Sequence, residues 1–321
     1  MFLTVGIPVY NKEKYVSEAI ESVLSQSFTD YELILWDDGS TDGSGAICDD
    51  FASKFPDKIR VFHDENRGAY SARHSIQKNA VGDFIYIMDA DDYIIDSHFI
   101  ETVYNKIASE DADLLMFPAS NKASKLYRIG MTKTEILDIV LKSDAWNNMW
   151  TKVYRRDLSD YWAGRIRRTP ILLGEDLLQF LNIFCAASKI VLLDKLYYFY
   201  RSTEGGGVSS FNIKQFDSVD IIHDKLLECL DVFNCSDQIH VDRVRAKTLA
   251  RIAAVVRKIK YAKGYGYREL KQYMAMIRDS SVFRQTYEQR FHIPLDKRTV
   301  AWCLHHGCFF VLWMAFKVMK F

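Results

Sequence analysis

Gly82-Asp83-Phe84-Ile85-Tyr86-Ile87-Met88-Asp89-Ala90-Asp91-Asp92 decides the fold of this chain. Its apolar, strand-favouring centre lacks polar alternation, which suits a central strand covered on both faces of a sheet. The run ends on three carboxylates within four positions. Like charges this close destabilise one another unless something cationic neutralises them, and a hard divalent ion with oxygen ligands is the usual partner. The end of a strand at the edge of an open α/β sheet is also where such sheets bind ligands. A solvated acidic turn capping the next helix is the plainer alternative.

On either side of this run, strand and helix patterns alternate. A short apolar strand over 2–9 stops at Pro8-Val9-Tyr10-Asn11, and Val16, Ile20, Val23 and Leu24 then recur at helical spacing. A strand over 31–36 ends in Asp37-Asp38-Gly39-Ser40-Thr41-Asp42; a helix with Ile47 and Phe51 inward follows, then a strand over 59–62. Asn66-Arg67-Gly68 opens a turn into a helix through Ser71-Ala72-Arg73. After the acidic turn come a helix marked by Phe99, Val103 and Ile107 and a strand over 113–117. The alternation predicts an α/β fold with a mostly parallel, doubly wound sheet, its polar clusters gathered along one edge. Further on, 136–141 reads as helix, 146–156 is aromatic and basic, and Gly174-Glu175-Asp176 opens a strongly apolar helix. Strands are expected over 189–194 and 196–201, then a glycine-rich stretch over 202–210 that suits a mobile lid or a plain connection. From Phe211 onward the pattern is helical. Three parts follow: 1–120, 121–210, and a helical region over 211–321.

The net charge of zero hides an asymmetry. From Arg243 onward there are 17 Lys/Arg against 4 Asp/Glu, which suggests an anionic partner for the C-terminal part. The last stretch, 299–316, carries no formal charge and holds Trp302, Phe309, Phe310, Trp313 and Phe316 between flanking lysines. It is short for a span and interrupted by His305-His306-Gly307, so an interfacial helix on an anionic membrane suits it better, with docking on the protein's own core or a second subunit as alternatives. Nucleic acid has only the charge in its favour, because no reading motif is present. The six cysteines show no CxxC pair, and the N-terminus lacks the pattern of a secretory signal, so a cytoplasmic location with free thiols is expected.

No Gly-x-Gly-x-x-Gly or Walker sequence occurs, which removes the main support for hydride transfer and P-loop chemistry. Three polar clusters instead follow three separate strands. Asp37-Asp38-Gly39-Ser40 suits a base and a ribose, although it is also good turn and helix-cap sequence. Arg73 near a helix start suits diphosphate oxygens, whereas Arg67 reads as a solvated surface residue.

Taken in order, Pro8-Val9-Tyr10-Asn11, Asp37-Asp38-Gly39-Ser40-Thr41-Asp42, Asn66-x-Gly68, Ala72-Arg73 and Asp89-Ala90-Asp91-Asp92 resemble family 2 glycosyltransferases of the GT-A fold. The resemblance continues through Trp150-x-Lys152-x-Tyr154-Arg155, Gly174-Glu175-Asp176 and Tyr200-Arg201, and covers roughly residues 1–210. It implies an inverting transferase that uses a UDP-sugar and Mg²⁺ or Mn²⁺. Pro8, Tyr10 and Asp38 would line the nucleotide pocket, with Asp38 facing the uracil; Asn66, Gly68 and Arg73 would stand on the nucleotide-sugar side. Asp91 would be the direct metal ligand, Asp89 would lie near the ribose and Asp92 would support them. Asp176 matches the catalytic base, with Glu175 as its rival. Trp146, Trp150 and Tyr154 could stack on an acceptor sugar with Lys152 and Arg155 nearby, although core packing is the commoner use of such rings. The acceptor implied is a hydroxyl of a glycan or lipid-linked glycan of the bacterial surface, met at the cytoplasmic face of the membrane; an oligomer is compatible with this. A non-catalytic membrane scaffold and a sugar nucleotidyltransferase are the alternatives. The intact Asp89, Asp91 and Asp176 speak against the first, and Pro8-Val9-Tyr10-Asn11 in place of a Gly-rich loop against the second.

Overall fold

The computed structural model describes residues 1–120, 126, 128–159, 173–201 and 211–318. The chain divides into two compact units: one built on the described residues among 1–139, 144–169 and 179–203, the other on those among 140–143, 170–178 and 204–321.

In the first unit the order is β1 (Leu3–Val9), α1 (Val16–Leu24), β2 (Tyr31–Asp37), α2 (Ser44–Lys54), β3 (Ile59–His63), α3 (Ala69–Asn79), β4 (Phe84–Ile87), β5 (Tyr93–Ile94), α4 (Phe99–Glu110) and β6 (Leu114–Met116). Then come α5 (Lys133–Lys142), β7 (Lys152–Arg155), α6 (Glu175–Ala186), β8 (Ile190–Leu192) and β9 (Tyr198–Phe199), with α5 and α6 each running from one unit into the other. Seven strands form one sheet in the order β3-β2-β1-β4-β7-β6-β8. All pairings are parallel except those of β7, which runs antiparallel between β4 and β6. The expected doubly wound sheet is present, and its parallel strands end on one edge.

The apolar run of β4 is central because both faces need covering. Tyr86 packs into the main core with Leu3, Val5, Ile7, Leu33, Leu35, Val23 and Phe99, whereas Ile85 and Ile87 are buried on the other side. On that second face α3 lies so close that a Cβ on Gly6 would stand 2.3 Å from Ile76. Gly82, just before β4, has no room either: its Cβ would meet the Thr4 backbone nitrogen at 2.4 Å.

Two features depart from the expectations. β7 is an antiparallel strand where only an aromatic, basic stretch was legible. The strand expected over 196–201 is two residues long and pairs with β5 in a separate two-stranded sheet.

The second unit is helical throughout its described residues: α7 (Asp217–Val232), α8 (Gln238–Arg257), α9 (Tyr267–Asp279), α10 (Ser281–Thr286), α11 (Leu295–His305) and α12 (Phe309–Trp313), with short 3-10 turns and a final π turn. Its core is formed by residues such as Leu249, Ile252, Val256, Leu270, Met274, Phe283 and Leu304. The uncharged 299–316 stretch is not one interfacial helix. It breaks after His305 at Gly307, whose φ of 68° favours glycine. Phe309, Leu312 and Phe316 are buried in the unit's own core, and Trp302 and Phe310 remain exposed. Residues 202–210, where the lid was expected, lie outside the described residues.

Candidate active site

The polar clusters meet at the edge where β1, β2 and β4 end. β1 and β2 are in register to their last residues, Val9 opposite Asp37, and the Asp38 amide donates to the Val9 carbonyl (2.8 Å). Beyond them the chain turns sharply. Asn11 adopts a positive φ of 52°; its amide donates to Ser40 Oγ (3.0 Å) and its Oδ1 accepts from the Thr41 amide (2.8 Å). Gly39, with φ 74°, packs where a Cβ would be 2.8 Å from the Asn66 amide.

Asp38 is 4% exposed. Its two oxygens accept the amides of Arg67 (2.9 Å) and Gly68 (2.8 Å), so this carboxylate fastens the Asn66–Gly68 turn to the end of β2. Its neighbour Asp37 accepts from the Ser40 amide and meets His63 Nδ1 at 2.9 Å, while His63 Nε2 reaches Asp49 at 3.0 Å. Burial opposes the charge of Asp37, but the bonds from Ser40 and His63 prevail and its carboxyl lies below the ordinary value; hydrogen bonds to the two aspartates raise His63. Tyr10 and Asn66 are exposed and Pro8 is half-buried.

The acidic turn is partly neutralised by the protein itself. Lys12 Nζ lies 2.5 Å from Asp91 Oδ2, and the Arg73 guanidinium, 5% exposed, lies 3.4 Å from Asp89 Oδ1. Asp92 is different. It is buried, its Oδ2 accepts from the Tyr198 hydroxyl (2.7 Å) and its Oδ1 from the Arg201 amide (2.7 Å). Burial pushes its carboxyl up to about 7, with the charges of Asp89 and Asp91 adding to the effect against the lowering bonds from Arg201 and Tyr198. The same tyrosine oxygen accepts the Asp89 amide (3.0 Å), and Arg201 Nε donates to the Asp91 carbonyl (2.9 Å). Tyr198 and Arg201 therefore hold the turn from outside, which the sequence did not reveal because they lie more than 100 positions away.

A sequence profile described as Glycosyl transferase family 2 matches residues 4–166. This chain belongs to that family. Among its relatives, glycosyltransferase GlyA of Streptococcus pneumoniae is 30% identical over 63% of this chain and 31% of its own length. The poly(ribitol-phosphate) beta-N-acetylglucosaminyltransferase TarS of Staphylococcus aureus is 26% identical over 78% of this chain and 44% of its own. The chain thus spans less than half the length of either relative. A crystal structure of TarS residues 1–349 with UDP-GlcNAc aligns over 96% of this chain and 92% of that one, with TM-score 0.69 and 22% identity, which shows a shared GT-A fold.

Membership of that family favours a glycosyltransferase over the sugar nucleotidyltransferase alternative. Among the described residues, no three or more His, Cys, Asp or Glu side chains converge to cage a metal ion. Asp89 and Asp91 are nonetheless partly open carboxylates, with side chains 30% and 15% exposed. A magnesium-like ion is commonly held by one or two carboxylates with substrate phosphates and water completing its shell, and these two residues fit that mode.

The rings expected to meet an acceptor have other roles. Trp146 and Tyr154 are fully buried, and the Tyr154 hydroxyl accepts from Gln77 (2.7 Å). Lys152 is fully buried too. Its ammonium donates to the Trp146 carbonyl (2.8 Å) and Thr151 Oγ1 (2.8 Å) and lies 4.7 Å from the Phe180 ring centre, so it ties the turn before β7. Arg155 is about half exposed and pairs with Asp157.

Glu175 and Asp176 belong to the second unit, in the first turn of α6. Gly174 before them has φ 78°, and the Arg251 guanidinium would lie 2.5 Å from a Cβ there. Glu175 acts on Lys258, whose ammonium burial disfavours and whose charge that carboxylate supports.

Proposed function

We propose that this chain transfers a sugar, with inversion, from a UDP-sugar to a hydroxyl of a glycan or lipid-linked glycan in bacterial surface polysaccharide synthesis. The observation that carries the reading is the edge itself: Asp38 fastens the Asn66–Gly68 turn on one side, and Asp89 and Asp91 present partly open carboxylates on the other. TarS, by name a poly(ribitol-phosphate) beta-N-acetylglucosaminyltransferase and solved with UDP-GlcNAc, supports both the donor and the acceptor class.

In this reading Pro8, Tyr10 and Asp38 flank the uridine, and Asn66, Gly68 and Arg73 stand toward the diphosphate, Arg73 supplying positive charge. Asp91, with Asp89, holds Mg²⁺ or Mn²⁺, which when bound supplies Lewis-acid stabilisation of the leaving diphosphate. Asp92, engaged by Tyr198 and Arg201, keeps the turn in shape. Asp176 takes the proton of the acceptor hydroxyl as its oxygen attacks the anomeric carbon opposite the departing diphosphate. Calorimetry with UDP tests the donor half. Binding is expected to be tighter with Mn²⁺ than in EDTA; equal affinity in both would sink the metal assignment, and no binding in either would sink the donor.

The anionic membrane partner keeps a narrower basis than the sequence suggested. Phe291, Leu295, Trp302, Phe310 and Val311 are exposed, and the guanidiniums of Arg290 and Arg298 flank the Phe291 ring at 4.4 and 5.4 Å. No helix among the described residues is long and apolar enough to cross a membrane. These side chains suit the interface of an anionic leaflet, with each nearby Arg or Lys contributing about 1 kcal/mol. That would place the enzyme at the cytoplasmic face. Removing the whole tail would strip the core of Leu304 and Phe309, so the better test is Trp302→Ser with Phe310→Ser. The intact chain should float with phosphatidylglycerol vesicles and the double variant should not. Failure of the intact chain to float ends the membrane reading.

A further inference from the structure

Alternate residues of an extended strand share a side. At β9, Phe199 faces one way and stacks on Tyr93 (4.7 Å between centroids). Tyr198 and Tyr200 both stack on Trp150, at 4.4 Å and 14° and at 5.6 Å and 15°. Exposure differs sharply along this stack: Tyr198 is 5%, Trp150 8% and Tyr200 58% exposed. Its inner end is anchored to the acidic turn, because the Tyr198 hydroxyl donates to Asp92 and accepts from the Asp89 amide. Its outer end directly precedes Arg201, whose amide donates to Asp92 Oδ1 (2.7 Å) in the same turn. Burial first, then the carboxylates of Asp92, Asp89 and Asp91, push the Tyr200 phenol above its ordinary value.

A large ring left more than half open, yet fixed in orientation by a buried indole, is a preorganised contact surface. We propose that Tyr200, oriented by Trp150, is the stacking platform for the pyranose ring that binds next to the diphosphate. A pyranose has an apolar C–H face and a hydroxyl rim. Laid on an aromatic ring, it buries the first and leaves the second free for hydrogen bonds. The fully buried Trp146 and Tyr154 are unavailable for this. The inference rests on the UDP-sugar reading and adds to it the residue that meets the sugar, which comes from the donor or from the acceptor.

Two measurements separate those sources. In the donor arm, calorimetry with Mn²⁺ compares UDP with UDP-N-acetylglucosamine, UDP-glucose and UDP-galactose. In the acceptor arm, saturation-transfer NMR follows the C–H protons of the corresponding methyl glycosides with UDP and Mn²⁺ present. Tyr200→Ala is expected to reduce the sugar-dependent gain in one arm roughly five- to tenfold, the scale of one lost ring contact. Binding of UDP alone is expected to hold, which also shows that the variant is folded. Tyr200→Phe should restore the signal, and Tyr200→Leu, with similar bulk and no π face, should not. Wild-type signals in both arms for Tyr200→Ala, or full restoration by Tyr200→Leu, would overturn the platform while leaving the UDP-sugar reading standing. If wild-type protein binds no UDP, that reading fails first and the platform with it.

Discussion

Asp176→Asn is expected to lower turnover by about two to four decades, the range of a lost general base, while leaving UDP affinity unchanged. The substitution keeps the shape of the side chain at the start of α6 and removes only its basicity. Glu175, one position earlier, is the control. Its carboxylate already supports the charge of the half-buried Lys258 ammonium, so Glu175→Gln should register mainly as a change in stability. The measurement is initial rate against donor and acceptor, with calorimetry for UDP alone. Near-normal turnover in Asp176→Asn together with a collapse in Glu175→Gln would exchange their roles.

Asp91→Asn is expected to act on the other half of the reaction. Turnover should fall by about 10²–10³-fold, matching the several kcal/mol that a metal contributes at a leaving diphosphate. The Mn²⁺-dependent part of UDP binding should disappear. Stability should change little, because the Lys12–Asp91 pair is partly solvated and such pairs contribute at most about 1 kcal/mol. Asp92→Asn should show the reverse balance. Its carboxylate is buried under Tyr198 and Arg201, and an amide serves two donors less well, at a cost of about 1–3 kcal/mol of stability. Mn²⁺-dependent UDP binding that survives in Asp91→Asn would remove this residue from the metal assignment.

Those contrasts show what the sequence made legible. The run into Asp89 and Asp91 could be read because a two-face-buried strand leaves an unbroken apolar signal and an acidic cluster cannot hide in it. The turns after β1 and β2 were legible because tight turns demand Gly, Asn and Asp. The partners of those carboxylates were not. Lys12 on Asp91, Arg201 on Asp92 and the Arg67 and Gly68 amides on Asp38 are contacts across long sequence separations, and nothing local marks them. Lys152 misled because a lysine usually signals a surface, whereas here main-chain carbonyls and an aromatic face enclose its ammonium. The strand over 196–201 was legible in kind but not in extent, since only Tyr198–Phe199 pair as β9.

The antiparallel β7 has a consequence for how the protein is made. β4 bonds to β1 on one edge and to β7 on the other, and β7 ends at Arg155, close to 70 residues after β4 is complete. At ribosomal speeds of about 5–20 residues per second, the free edge of this apolar strand waits roughly 3–14 s for its partner. Parallel neighbours with long crossovers already make such sheets slow to assemble. An unpaired apolar edge during that interval is a template for joining other nascent chains. The acidic turn at the tip of β4 is therefore in place well before its strand is sheltered, and a chain released before residue 155 carries the Asp89–Asp91 motif on a sheet that cannot close.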